Sequence, residues 1–267
     1  MDPLLLTAAI VAGGLVGSGL DPVGQQLARR SRADEERSRA DGERIPGSGA
    51  AFEAVPGGDG DPGGLPADWR TPQLAPSGRS TGRTAVSAVV TGVLFGAGAS
   101  RFGADLILAP LCVFFAMLVA VSVTDLSHRL VPRRLVYPAL SLIVPLLVAT
   151  SAVDHRWHHL VGAGVAGATA FGLFAAIWWF VPQGMGFGDV RLAGVIGLTV
   201  GYLSLFDAYL AFAGGFVIGL MMALVTMVAQ SSGRKARIPF APSLAVGAVA
   251  AVLWGGPVAM SLLGGPR

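Results

Sequence analysis

The sequence predicts an all-helical, polytopic membrane protein with about eight transmembrane helices and a long first loop. Of its 267 residues, 53% are hydrophobic and only 13% are charged, whereas soluble domains contain about 25% charged residues. The mean hydropathy is +0.64. Apolar segments close to the roughly 20 residues that a spanning helix needs recur along the chain. These observations exclude a soluble globular domain.

The first apolar segment, residues 3–20, is interpreted as a retained transmembrane span within a segment 1–28. Asp2 precedes it and Arg29 and Arg30 follow it, which is the reverse of the charge order of a signal peptide. Glycines recur within it at 13, 14, 17 and 19. This spacing predicts close packing against another helix.

Residues 29–83 predict a mostly disordered loop. The segment is rich in Gly, Pro, Ser and Arg and has few large apolar residues. Such a composition cannot bury enough apolar surface to offset the entropy of ordering. Its nine arginines are matched by nine acids, so we expect a tether rather than a tail that binds RNA or lipid.

Residues 84–267 predict a membrane-embedded domain. Two of the expected spans, the second and the sixth, are short. The expected spans after the loop are 84–99, 106–124, 135–153, 160–181, 190–206, 208–229 and 241–263.

The basic residues indicate the orientation of these spans. Placing loop 29–83 in the cytoplasm puts most of the 19 basic residues on that side, as the positive-inside rule requires. Both termini then lie outside, in a multi-pass protein of the bacterial inner membrane. No basic face with interleaved aromatic residues indicates a nucleic-acid partner, and nothing indicates an oligomeric state. The basic residues on the outer side are Arg101, Arg156 and Arg267.

Two acids lie at the cytoplasmic ends of predicted spans. Asp125 follows the third span, and Asp189 precedes the sixth, after a glycine-rich turn. A carboxylate at a membrane edge is costly, which favours a functional role. Because both acids fall on one face, we expect them to share a proton and to activate water together.

The surroundings of each acid suggest its role. Asp189 opens its helix, where the dipole favours an anion, and Asp125 ends its helix; we therefore expect Asp189 to be the ionised base and Asp125 the protonated acid. Three glycines remove side chains beside Asp189, so that a substrate backbone can approach closely. Arg191 is either a contact to the substrate or the acid pair, or a charge that sets topology. The three glycines are Gly184, Gly186 and Gly188.

Other polar residues are expected to have no catalytic role. Asp105 and Asp207 are interpreted as interfacial residues at the outer ends of their spans. The histidines of the segment 154–159 lie in an outer loop at irregular spacing, which favours solvated side chains over a metal site. We expect no metal and no cofactor.

Four motifs, in this order along the chain, resemble the type 4 prepilin peptidase family of membrane aspartic proteases. GS at 17–18 resembles its Gly-Ser-Phe element, and TDLSHRLVP at 124–132 resembles its first aspartate and the following Val-Pro. GMGFGDVRL at 184–192 resembles its Gly-x-Gly-Asp signature, and IPFAPSLAVG at 238–247 resembles its Pro-Phe-Gly-Pro segment.

The resemblance implies a membrane-edge aspartic endopeptidase with Asp125 and Asp189 as catalytic residues. It implies cleavage of the leader peptide of type IV prepilins, pseudopilins or Tad/Flp precursors at the cytoplasmic face. The implied partners are these prepilin-like proteins and the lipid bilayer.

The sequence departs from the family at two places. Many bacterial members also N-methylate the new terminus and carry two cysteine pairs in the first cytoplasmic loop, whereas the one cysteine here is Cys112. This puts methyltransferase activity and a requirement for S-adenosylmethionine in question. Arg133 also stands where the family commonly has asparagine.

Two alternatives to a simple peptidase stay open. One is a bifunctional peptidase and N-methyltransferase. The other is a non-catalytic transporter or assembly scaffold that uses the acids as a proton relay. A transporter of this kind is expected to show an internal repeat, and we see none.

Overall fold

The computed structural model describes residues 3–19, 81–128, 133–181, 186–229 and 240–262. These residues form eight helices and no strand, which confirms the all-helical prediction. Apart from residues 81–83, the predicted loop 29–83 lies outside the described residues. The helices are α1 (Pro3–Gly19), α2 (Thr81–Phe102), α3 (Leu108–His128), α4 (Arg133–Asp154), α5 (Trp157–Phe180), α6 (Phe187–Leu203), α7 (Leu205–Ala229) and α8 (Ala241–Leu262).

Five of these helices are long and apolar enough to cross a membrane, as expected for a polytopic protein. They contain the segments Thr84–Phe102, Leu108–Leu126, Leu135–Asp154, Trp157–Phe180 and Leu205–Thr226. The segments Pro3–Gly19 and Ala241–Gly256 are apolar but shorter, and α6 has 17 residues. The total of eight spans stays a prediction.

The break between α6 and α7 lies earlier than predicted. It was expected at Asp207 and occurs at Ser204, whose backbone is extended at φ −164° and ψ 145°. The Ser204 hydroxyl accepts a hydrogen bond from the Phe206 backbone N–H at 3.1 Å. Serine at this position caps the first turn of a helix, so Ser204 ends α6 and starts α7. α2 is also longer than expected, because it begins at Thr81 and has 22 residues.

Glycines allow neighbouring helices to pack with their backbones almost in contact. A Cβ at Gly13 of α1 would lie 2.6 Å from the Thr91 carbonyl oxygen of α2. The Ser87 hydroxyl also donates to the Gly17 carbonyl at 2.8 Å, so the predicted close packing of α1 is confirmed. In the same way, a Cβ at Gly197 of α6 would lie 2.6 Å from the Ala166 carbonyl oxygen of α5.

The two acids lie on the innermost helices of the bundle. Among the five candidate spans, α3 is the most buried, with 67% of its window inside the protein against 22–39% for the others. Phe114, Phe115 and Leu118 of α3 are almost completely buried, as are Leu192 and Ile196 of α6. The core therefore surrounds the helices that carry Asp125 and Asp189.

Candidate active site

Asp125 lies in the last turn of α3, with its side chain only 6% exposed. Its Oδ2 atom accepts a hydrogen bond from the Ala241 backbone N–H at 3.2 Å. Ala241 is the first residue of α8, and the first amides of a helix have no partner within the helix. Asp125 therefore provides an acceptor for an otherwise unpaired amide at the N-terminus of α8, where the helix dipole also favours an anion.

The start of α8 is held in place by aromatic packing. The Phe240 ring lies 5.6 Å from the Phe216 ring and 6.5 Å from the Phe174 ring, measured between centroids. Ala241 itself is completely buried. This segment carries the fourth motif, to which the sequence assigned no function. Pro239 and Pro242 lie on either side of Phe240 and Ala241 in the sequence. Because prolines are enriched at helix starts, they indicated that a helix begins here and that its first amides are free to donate.

Asp189 lies in the first turn of α6, outside the five long candidate spans. Its backbone N–H donates to the Gly186 carbonyl at 3.0 Å. Burial and, second, the negative charge of Asp125 raise the pKa of Asp189 to about 7, although a hydrogen bond from the Gly186 backbone acts in the opposite direction. α3 also contacts α6. The structure therefore brings together the two acids that the sequence placed on one face.

The surroundings of Asp189 act against the ionised form that the sequence-based argument expects. The sequence-based argument considered only the dipole of each acid's own helix and predicted an ionised Asp189. Burial and the nearby Asp125 instead raise the pKa of Asp189 to about 7. At Asp125, the amide at the start of α8 adds a favourable contact for an anion that the C-terminus of α3 does not provide.

Gly186 leaves space beside the partly buried carboxylate of Asp189. Gly186 is exposed and extended, at φ −76° and ψ 143°, a conformation open to any residue. A Cβ at this position would lie 3.8 Å from Asp189 Oδ2 and 3.9 Å from the Gly188 nitrogen. These are ordinary van der Waals distances, so a side chain would fit and would cover the acid. Gly188 is partly buried in the first turn of α6, and Gly184 lies outside the described residues.

Arg191 packs against aromatic rings. Its guanidinium carbon lies 4.5 Å from the centre of the Phe187 ring and 5.6 Å from the centre of the Tyr137 ring. Its buried Nε has no hydrogen-bond partner among the described residues. Cation–π contacts of this kind stabilise by roughly 0.5–2 kcal/mol and connect α6 to α4. A contact with substrate or with the acid pair stays a prediction.

The Phe187 ring connects the start of α6 to α5. It packs edge-to-face against Trp178, with centroids 5.0 Å apart, and against Phe171 at 6.4 Å. Because Asp189 lies two residues further along the same turn, these contacts fix the position of its backbone. The site is thus built on packed helices rather than on a free loop.

The two carboxyl groups of this site can perform acid–base chemistry. Within the described ranges, no group of three or more His, Cys, Asp or Glu side chains could hold a metal ion. A carboxylate held by an amide, beside a carboxyl group whose pKa is raised to about 7, can take up one proton and donate another.

Comparison with known proteins gives a consistent result. Residues 112–228 match the model of the type IV leader peptidase family, a range that includes both acids. The chain is 36% identical over 173 residues to a prepilin leader peptidase/N-methyltransferase of Bacillus subtilis, covering 62% of this chain and 64% of that protein. It is 30% identical over 179 residues to a prepilin leader peptidase/N-methyltransferase of Stutzerimonas stutzeri, covering 64% of this chain and 58% of that protein.

A third relative with the same name, from Xanthomonas campestris, is 27% identical over 177 residues, covering 64% of this chain and 56% of that protein. The chain thus spans less than two thirds of the length of each of these relatives. No solved structure gives a significant match. The resemblance to this family is confirmed, and the matched range 112–228 includes the motifs at 124–132 and 184–192.

Proposed function

We propose, from the match of residues 112–228 to the type IV leader peptidase family, that this protein is a membrane aspartic endopeptidase that removes the leader of prepilin-like precursors. One observation carries the proposal. A buried carboxylate, bound by the first amide of α8, lies close enough to a second carboxylate to raise its pKa.

In the proposed mechanism Asp125 is the base and Asp189 is the acid. Ionised Asp125 takes a proton from a water molecule, whose oxygen adds to the carbonyl carbon of the scissile peptide. Protonated Asp189 donates a hydrogen bond to the carbonyl oxygen and stabilises the negative charge that develops there. The C–N bond then breaks, and the leaving nitrogen receives the proton that Asp125 took up.

The location of the acids suggests how the substrate approaches. Asp125 and Asp189 lie at one end of the bundle, and Gly186 beside them is exposed. An extended leader junction can therefore lie across the turn before α6, while the apolar helix of the precursor stays in the bilayer. The distribution of basic residues favours the cytoplasmic face of the inner membrane for this end.

We expect Gly186→Ala to lower the cleavage rate by at least about tenfold without unfolding the protein. The added methyl group would lie 3.8 Å from Asp189 Oδ2, where the scissile peptide must approach, and displacements of about 1 Å can reduce rates by about 100-fold. The measurement is the rate of precursor cleavage in liposomes, with the thermal unfolding midpoint of the same sample. Gly164→Ala in α5 is the matched control, because a Cβ there meets nothing within 4 Å. A Gly186→Ala variant with the parent rate would show that no substrate lies over this turn.

We expect the cleavage rate to fall as the pH rises through about 7. The pKa of Asp189 is raised to about 7 by burial and by the charge of Asp125, so the pair holds its proton below this pH and loses it above. The mechanism needs that proton, and the rate should fall by about tenfold per pH unit once it is lost.

The pH effect has a second, independent measurement. Removing the charge in Asp125→Asn should lower the pKa of Asp189, because the Coulombic contribution of Asp125 disappears. Infrared titration of the Asp189 carboxyl group in this variant measures that change. An unchanged pKa would show that the two carboxylates do not interact.

The proposed function is tested with the reconstituted protein and a type IV prepilin-like precursor. We expect loss of the leader through cleavage of a single peptide bond, seen by mass spectrometry of the mature N-terminus. An uncut precursor would contradict the proposal. The same spectrum tests the bifunctional alternative. Methylation of the new terminus in the presence of S-adenosylmethionine would increase its mass by about 14 Da, which the peptidase alone does not do.

A further inference from the structure

A cavity of about 260 Å³, lined by both charged and apolar side chains, lies at the end of the bundle opposite Asp125 and Asp189. α6 begins beside the acids and ends here at Leu203, and Val252 brings α8 to the same place, remote from Ala241. The sequence predicted separate, solvated polar residues at this end. These polar residues instead line a single cavity. Its charged residues are Arg101, Asp105, Asp154, Arg156 and Asp207.

Asp207 is the deepest of these charges. Its side chain is 7% exposed, and the buried Oδ1 atom has no hydrogen-bond partner among the described residues. The carboxylate lies against Gly255 of α8, where a Cβ would overlap Oδ1 and would lie 3.2 Å from Oδ2. A buried acceptor left unsatisfied costs roughly 1–3 kcal/mol, and more when it is charged. The positive charge of Arg101 acts on the Asp207 carboxylate, but no described group donates a hydrogen bond to Oδ1.

Arginines line the same cavity. The Arg101 Nε–H donates to the Val252 carbonyl of α8 at 3.2 Å, which holds the guanidinium at the cavity. Arg156 is exposed in the turn between α4 and α5. Guanidinium groups bind phosphate through several charge-assisted hydrogen bonds. The cavity thus combines a buried acceptor for a cation with two more exposed sites for an anion.

The part of the lining that α4, α5 and α6 supply is fixed by hydrogen bonds. His159 Nδ1 lies 2.7 Å from the Tyr202 carbonyl oxygen at the end of α6, and the Tyr202 hydroxyl lies 2.8 Å from the Ser151 hydroxyl of α4. These contacts connect three helices around the cavity. Its shape is therefore set before any ligand binds, as is usual for small-molecule sites.

We propose that this cavity binds a phosphoethanolamine group. The ammonium contacts the Asp207 carboxylate where it lines the cavity, and the phosphate contacts Arg101 and Arg156. The volume of about 260 Å³ corresponds to roughly nine water molecules at about 30 Å³ each, which is sufficient for a group of this size. The cavity lies at the ends of the candidate spans Thr84–Phe102 and Leu205–Thr226, the depth at which lipid head groups are found.

Phosphatidylethanolamine and phosphatidylcholine test this proposal, because they share the phosphate and differ in the N–H donors. We expect the purified full-length protein to bind phosphatidylethanolamine at least about tenfold more tightly in native mass spectrometry. Its thermal unfolding midpoint should rise by about 3 °C with this lipid relative to phosphatidylcholine. Competition by free O-phosphoethanolamine would show that the head group is sufficient, and its absence would show that the acyl chains are also needed.

Two variants separate the two charges of the ligand. Asp207→Asn should remove the preference for phosphatidylethanolamine, whereas the exposed Arg156→Gln should weaken the binding of both lipids equally. Equal binding of the two lipids to the parent protein would overturn the proposal and indicate a cavity filled with water. If Asp207→Asn does not fold, the lipid comparison in the parent protein and in Arg156→Gln still decides. None of these measurements depends on peptidase activity.

Discussion

Asp125→Asn and Asp189→Asn are each expected to reduce precursor cleavage by about 10,000-fold or more, to the detection limit. An amide cannot take a proton from water, and it cannot provide the acidic proton that stabilises the carbonyl oxygen. Because the two acids act as one unit, the double variant should be no less active than either single variant. The measurement is the initial rate of leader removal in liposomes.

The fold should survive both substitutions. Asparagine has almost the shape of aspartate, and its carbonyl oxygen at position 125 can still accept the hydrogen bond that Ala241 N–H donates at 3.2 Å. At position 189, loss of a partly buried acid removes a desolvation cost. Helicity and yield should therefore match those of the parent.

Asp154→Asn is the matched control for these substitutions, since it makes the same chemical change at an exposed residue of the opposite end of the bundle. It should cleave at the parent rate. A folded Asp125→Asn or Asp189→Asn variant that keeps more than about a tenth of the parent rate would be incompatible with the acid pair as the catalytic centre.

Ala241→Pro is expected to lower the cleavage rate by about tenfold to a hundredfold. Proline has no backbone N–H, so the substitution removes the donor that binds Asp125 Oδ2. Hydrogen bonds to charged groups contribute roughly 1.5–3 kcal/mol, and about 1.4 kcal/mol corresponds to a factor of ten in rate. Proline is favoured at the first position of a helix, which Ala241 occupies in α8, so the helix itself should persist.

Ala241→Val separates loss of the donor from added volume. Valine is similar in size to proline but keeps the N–H, and Ala241 is completely buried. Any effect of crowding should therefore appear in both variants. We expect Ala241→Pro to cleave more slowly than Ala241→Val. We also expect the pH profile of Ala241→Pro to differ from that of Ala241→Val. Equal rates in the two variants would mean that the amide of α8 does not contribute to catalysis.

The sequence by itself determined which segments are helical and which two acids were candidates for a shared site. A helix in a membrane satisfies its own backbone hydrogen bonds, so length and hydropathy indicate α3 and α5 without knowledge of their neighbours. The cost of a charge at a membrane edge is likewise local, and it identified Asp125 and Asp189 before any tertiary contact was known. The motifs were sufficient for the family resemblance, because they are short and continuous in the chain.

The contacts of Arg191 and Ser204 show where local patterns were insufficient. Arg191 was predicted either to contact substrate or the acid pair, or to set topology, and it packs on the rings of Phe187 and Tyr137. The position of Tyr137 beside it depends on how α4 packs, which no pattern within α6 indicates. Ser204 was a cap candidate by its residue type, but the hydrophobic run on both sides concealed the break.

Only the tertiary structure decided which groups surround the two acids and which surround Asp207. Asp125 accepts its hydrogen bond from a residue 116 positions away in the chain, and Asp207 shares a cavity with Arg101 and Asp105 of a distant helix and turn. Burial and electrostatic fields depend on every group nearby in space, whichever part of the chain supplies it. The hydropathy and the helix dipole of one segment indicate which charged residue is unusual. They do not indicate which charges and amides from other segments pack against it.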